Sequence, residues 1–79
     1  MNREEFLEDL PLLFGLHRES GGLEYKVGGS DDPGDSYDRL IAVGWVKLTD
    51  EGGPWRHLTI TPEGEALIER LFQASELAL

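Results

Sequence analysis

Trp45-Val46-Lys47-Leu48-Thr49-Asp50-Glu51-Gly52-Gly53-Pro54-Trp55-Arg56-His57-Leu58-Thr59-Ile60-Thr61-Pro62-Glu63 carries two strand signals and a helix start in one unbroken run. Residues 45–49 and 56–61 alternate apolar and polar side chains, the period of a half-buried strand. Between them, Asp50 to Pro54 holds the Gly and Pro that a reversal of the chain requires, so the two segments predict a β-hairpin. Val46 and Leu48 on one strand and Leu58 and Ile60 on the other are expected on its core face. Thr61 is placed to cap a helix and Pro62 to open it, because the first helical N–H has no partner to lose. Ala66, Leu67, Leu71 and Phe72 follow at helical spacing, giving a predicted helix over 62–75.

Working back from the hairpin, Tyr37, Leu40, Ile41 and Val43 form an apolar stripe that Gly44 closes. Asp31-Asp32-Pro33-Gly34-Asp35 before it reads as a helix start with Asp32 as cap, so the helix is predicted over 33–43. Leu23-Glu24-Tyr25-Lys26-Val27 alternates again, a strand over 23–27, entered from a Ser20-Gly21-Gly22 turn. At the start of the chain, Asn2 is a plausible cap for a helix over 3–10. Phe6, Leu7 and Leu10 would line its inner face and Glu4, Glu5, Glu8 and Asp9 the outer one. Pro11 removes an N–H that such a helix needs, which predicts a break and a second short helix over 11–17. The expectation is therefore a small α+β single domain, residues 1–79, with a three-stranded antiparallel sheet and three to four helices.

The 79 residues carry 16 Asp and Glu against 7 Lys and Arg, a net charge of -9, and no Cys. Residues 1–40 hold ten acids and four bases and residues 41–79 six and three, so the acidity runs through the fold. Such a chain repels phosphate backbones and anionic membranes and attracts basic surfaces. Direct nucleic-acid binding and membrane binding are accordingly not expected. The acidic N-terminal residues do not resemble the basic start of a signal peptide, and no apolar run approaches the ~20 residues of a membrane span. The location expected from these features is the cytoplasm.

Catalytic chemistry finds little support. His17 and His57 lie on different elements with no further ligands at metal-binding spacing. Aligned from Asp31, a calcium loop would need Gly at Ser36 and a bidentate Glu at Ala42. Gly28-Gly29-Ser30 lacks the lysine of a phosphate-cradling loop. No enzyme activity, cofactor or metal is expected. Trp55, after Gly53-Pro54, is expected mainly to pack, with a role as an exposed interface anchor as the alternative.

Tyr37-Asp38-Arg39-Leu40-Ile41-Ala42-Val43-Gly44-Trp45-Val46 and Leu58-Thr59-Ile60-Thr61-Pro62-Glu63-Gly64-Glu65-Ala66-Leu67 resemble the recognition helix, wing and following helix of MarR- and PadR-like winged-helix regulators. That resemblance implies a winged-helix-like second half. Its DNA-facing positions have the wrong sign: Asp35, Ser36, Asp38 and Arg39, behind Asp31 and Asp32, stand where Arg, Lys, Asn or Gln would reach bases and phosphates. In size, charge and lack of Cys the whole chain resembles the anti-CRISPR proteins of phages. This resemblance implies an inhibitor that mimics nucleic acid and blocks DNA binding by a bacterial CRISPR surveillance complex. The partner implied is a basic nucleic-acid-binding protein, such as a CRISPR effector subunit. The residues that would contact it are Asp31, Asp32, Asp35, Asp38, Glu4, Glu5, Glu8 and Asp9. The alternative is a regulatory or protein-interaction module of winged-helix descent that no longer binds DNA, docking through Trp55, Phe72, Leu77 and Leu79.

Overall fold

The computed structural model describes residues 1–20 and 22–78, with side-chain surroundings through Glu76; Gly21 of the expected turn and the side chains of Leu77 and Leu79 lie outside the described residues. The order of elements is α1 (Arg3–Arg18), β1 (Leu23–Lys26), α2 (Asp38–Ala42), β2 (Val46–Gly52), β3 (Trp55–Ile60) and α3 (Pro62–Ala78). The strands form one antiparallel sheet in the order β1-β3-β2. This is the α+β architecture expected, with three helices among the described residues.

The hairpin forms where the alternation placed it. Val46 faces Ile60 and Leu48 faces Leu58 across β2 and β3, and a bulge between Asp50 and Gly52 ends the regular register. Leu23 pairs with Leu58 from the other side, so β3 is the central strand. Leu13, Leu16, Tyr25, Leu40, Val46, Leu58 and Ile68 make the core, one or two residues from every element. Leu48 departs from the expectation: it shares the face of Leu58 but sits on an edge strand beyond the cover of the helices, and it is exposed. Val43 and Leu7 are likewise exposed.

α3 begins as its capping signal requires. The Thr61 hydroxyl accepts from the Gly64 N–H at 3.1 Å and donates to the Gly44 carbonyl at 2.6 Å, tying the helix start to the turn before β2. Gly64 packs so closely there that a Cβ would collide with the Trp45 carbonyl and the Ile60 side chain.

Two helix predictions are corrected. Pro11 does not break the first helix: α1 runs through it without interruption. The residue four before it, Leu7, is exposed, and so is Pro11 itself. The carbonyl that loses its donor therefore lies on the outer side, while Leu13 and Leu16 beyond the proline are buried and hold the helix to the core. Asn2 caps α1 as expected, in a reciprocal box with Glu5: its side chain accepts from the Glu5 N–H at 2.8 Å, and Glu5 accepts from the Asn2 N–H at 3.0 Å.

The helix predicted over 33–43 is a single turn and a half, Asp38–Ala42. Asp32 does not cap it. Its carboxylate is taken by the Gly28 N–H at 2.7 Å and the Gly34 N–H at 2.8 Å, which closes a loop instead of opening a helix. Successive turns follow, Ser36 N–H to the Pro33 carbonyl and Asp38 N–H to the Asp35 carbonyl. The molecule measures 46 × 25 × 20 Å, longer than the ~30 Å sphere expected for its length. No helix among the described residues is long and apolar enough to cross a membrane.

Candidate acidic interface

The eight carboxylates singled out from the sequence fall into two unlike groups. The first belongs to α1, where Asp9 turns inward and Glu5 and Glu8 turn toward α2. Asp9 is 3 % exposed, because the face it occupies with Leu13 and Leu16 is the core-facing side of the helix. Arg39 of α2 reaches it side-on: Nε donates to Asp9 Oδ2 at 2.8 Å and Nη2 to Asp9 Oδ1 at 2.7 Å. The same guanidinium donates to Glu8 at 3.1 Å and to Glu5 at 3.3 Å. Three acids of the expected outward row thus form a clasp on one arginine. Glu4 alone of that row is exposed with no side-chain partner among the described residues.

The clasp has an electrostatic signature. Hydrogen bonds from Arg39 to Asp9 and Glu8, and the charge of Asp9, raise the Arg39 pKa, so the guanidinium stays charged under all ordinary conditions. The Glu5 pKa is lowered, first by the Asn2 N–H it accepts and then by Arg39. A planar fork with several donors is what lets one residue satisfy three carboxylates; a lysine could not do so in this geometry. Sequence reading missed the clasp because Arg39 lies thirty residues from Asp9, and i, i+4 spacing along one helix carries no information about a partner on another.

The second group is the loop Asp31–Asp38. Asp32 is spent on structure: the Gly28 and Gly34 N–H groups lower its pKa and hold the loop closed. Asp31, Asp35 and Asp38 are exposed and make no ion pair among the described residues. Asp35, Ser36, Asp38 and Arg39 border an open depression of about 360 Å³, so two of the free carboxylates, Asp35 and Asp38, share a rim with Arg39 of the clasp. The loop is therefore a built feature: one aspartate fixes the backbone and its neighbours project from it.

Other acids are paired elsewhere. Glu65 of α3 meets His17 Nδ1 of α1 at 2.9 Å, Asp50 meets Arg56 at 3.3 Å, and Glu51 meets His57 at 3.3 Å. Of the two tryptophans, Trp45 packs edge-on against Phe6, ring centroids 5.8 Å apart. Trp55 is 45 % exposed and opposes Lys26 across β1 and β3, at the margin of the sheet.

In comparison with known proteins, no family model, curated protein or solved structure matches this chain.

Proposed function

We propose that the protein is an acidic binding module that occupies a basic, nucleic-acid-binding surface of a macromolecular partner, with the Asp31–Asp38 loop as its contact. The observation that carries this reading is the division of labour in the loop. Asp32 accepts two backbone N–H groups, and Asp31, Asp35 and Asp38 stand exposed around it. Carboxylates held on a fixed backbone lose little freedom when they meet Lys or Arg, which is the condition for charge-assisted bonds to favour binding. α2, with five residues, is too short to lie along a DNA groove, and its entrance carries the sign of DNA itself.

The clasp lowers the charge available for mimicry. A duplex 46 Å long carries about 27 phosphate charges at one per ~1.7 Å, against a net -9 here. The contact proposed is thus a local one at the loop, not a match along the whole molecule. The resemblance in size and charge to anti-CRISPR proteins names the partner to test first: a guide-loaded CRISPR effector. The test is binding of target DNA by that complex with and without the protein. The reading expects DNA binding to be blocked, and the block to be lost when Asp31, Asp35 and Asp38 are changed to Asn. Unimpaired DNA binding at saturating protein would remove the effector as partner, and a block indifferent to the three substitutions would remove the loop as contact.

The other reading, an interaction module docking through apolar side chains, is favoured by exposed Trp55 and Phe72. Added salt separates the two: contact through the loop weakens as ionic strength rises, whereas apolar docking tolerates it.

A further inference from the structure

α1 has three faces; the fold covers two of them and only the edge of the third, at Phe14. Asp9, Leu13 and Leu16 face the core, and Glu5 and Glu8 turn toward Arg39. The third face carries Glu4, Leu7, Pro11, Phe14, Gly15 and Arg18, which recur at intervals of three and four as one stripe along the helix. Leu7 is 57 % exposed. Phe14 lies at its edge with Phe72 of α3 beside it, ring centroids 5.9 Å apart and Phe72 itself 46 % exposed. A helix in contact with water on this side would be expected to show it a polar surface; this one shows Leu7 and Pro11, with the part-buried Phe14 at the edge.

We propose that this stripe is the contact surface for a second copy of the same chain, with the two α1 helices packed antiparallel about a two-fold axis at Pro11. Three observations point to a second copy in preference to an unrelated protein. The stripe reads alike from both ends: Leu7 and Gly15 stand four residues either side of Pro11, and Glu4 and Arg18 stand seven either side. An antiparallel pair centred there sets Leu7 of each copy against Gly15 of the other, and Glu4 against Arg18. That is self-complementarity in both shape and charge, the requirement of a two-fold interface. Glu4 and Arg18 are both exposed and form no ion pair among the described residues, so each is available to the other copy.

Gly15 is the third observation. Glycine destabilises a helix interior, and nothing in the fold requires it here: a Cβ would meet no atom within 4 Å. A second helix seated on the stripe gives the residue a purpose, since the missing side chain makes room for a leucine. The dimer is a weak one. A helix of 16 residues is about 24 Å long, and a single helix pair covers on the order of 400 Å² per copy, about half of what a stable specific interface buries, so the association is transient. Covering the Leu7 carbonyl, which Pro11 leaves without a donor, opposes it further.

The test is sedimentation of the full chain from about 10 μM to about 1 mM, at ~50 and ~500 mM NaCl. The expected result is a reversible monomer–dimer equilibrium that higher salt strengthens, since salt screens repulsion between two strongly acidic copies. Leu7→Glu should lower the association constant at least tenfold while leaving the far-UV circular dichroism and melting temperature unchanged. Gly15→Ala should raise the melting temperature of the monomer and still weaken association, a pairing of effects that misfolding cannot produce. Glu4→Arg should weaken the dimer and Glu4→Arg with Arg18→Glu should restore it. A chain that stays monomeric throughout, or a dimer indifferent to Leu7→Glu and Gly15→Ala, overturns the proposal.

Discussion

The clasp on Arg39 and the loop around Asp32 are both built from acids that look alike in the sequence, yet they do opposite things. In the clasp, Glu5, Glu8 and Asp9 converge on one guanidinium, which neutralises part of their charge and joins α1 to α2. In the loop, a single aspartate is consumed on two backbone N–H groups and its neighbours remain outside. The difference lies in what stands opposite: a side-chain cation in the first case, only glycine backbone in the second. Acidity by itself therefore does not mark a surface for recognition; the same residue type serves as mortar where a cation faces it and as a presented charge where none does.

The largest expected effect comes from breaking the clasp. Arg39→Met leaves the buried Asp9 carboxylate without a partner and should lower the melting temperature by ~10 °C or more, because an orphaned buried charge is costly. Replacing Asp9 with Leu in the same chain should recover most of that loss, since two apolar side chains of suitable size can replace a buried pair. Thermal denaturation of the single and double variants checks both statements. If Arg39→Met melts with the wild type, the clasp does not join the helices.

A smaller effect is expected in the loop. Asp32→Ala abandons the N–H groups of Gly28 and Gly34 and should lower the melting temperature by roughly 3–5 °C, the scale of one or two lost partly exposed bonds. Asp32→Asn, which keeps one acceptor oxygen, should fall between. Amide exchange at Gly28 and Gly34 should accelerate in both variants, and unchanged exchange at either glycine would deny Asp32 its role.

Acid titration sharpens the comparison further. Glu5 and Asp32 both have pKa values lowered in the fold. A carboxylate of that kind contributes stability above its unfolded pKa and loses it as pH falls through its folded value. Stability should therefore be level near neutrality and decline below about pH 4. Glu5→Gln and Asp32→Asn should each flatten that decline, measured as denaturant midpoint against pH. Smallest of all is the effect on stability of changing Asp31, Asp35 and Asp38 together to Asn, which should move the melting temperature by no more than about 2 °C, because exposed groups without partners hold nothing together.

The parts of the fold legible in the sequence were those set by local chemistry. The hairpin followed from alternation around Gly52-Gly53-Pro54, the start of α3 from Thr61-Pro62, and the cap of α1 from Asn2. What could not be read depended on residues far apart. Pro11 was expected to break a helix because its cost is local and certain, whereas the burial of Leu13 and Leu16 that outweighs the cost is tertiary. Asp32 was expected to cap a helix because Asp-Pro-Gly-Asp fits that role, but Gly28 and Gly34 offer its carboxylate two donors at closer hand. The candidate site was half legible. Asp31, Asp35 and Asp38 are exposed as an outward acidic face requires, though Asp35 stands in a turn and not in the helix expected over 33–43, while Asp9 was assigned to an outer face that the helix turns inward.

The most direct test of the account compares two triple variants in one binding assay with the guide-loaded effector: Asp31, Asp35 and Asp38 changed to Asn, and Glu4, Glu5 and Glu8 changed to Gln. The account predicts that the loop variant keeps its fold and loses affinity at least tenfold with a shallower salt dependence, while the helix variant loses stability and, where folded, binds as the unaltered protein does. Equal affinity for the loop variant and the unaltered protein would contradict it.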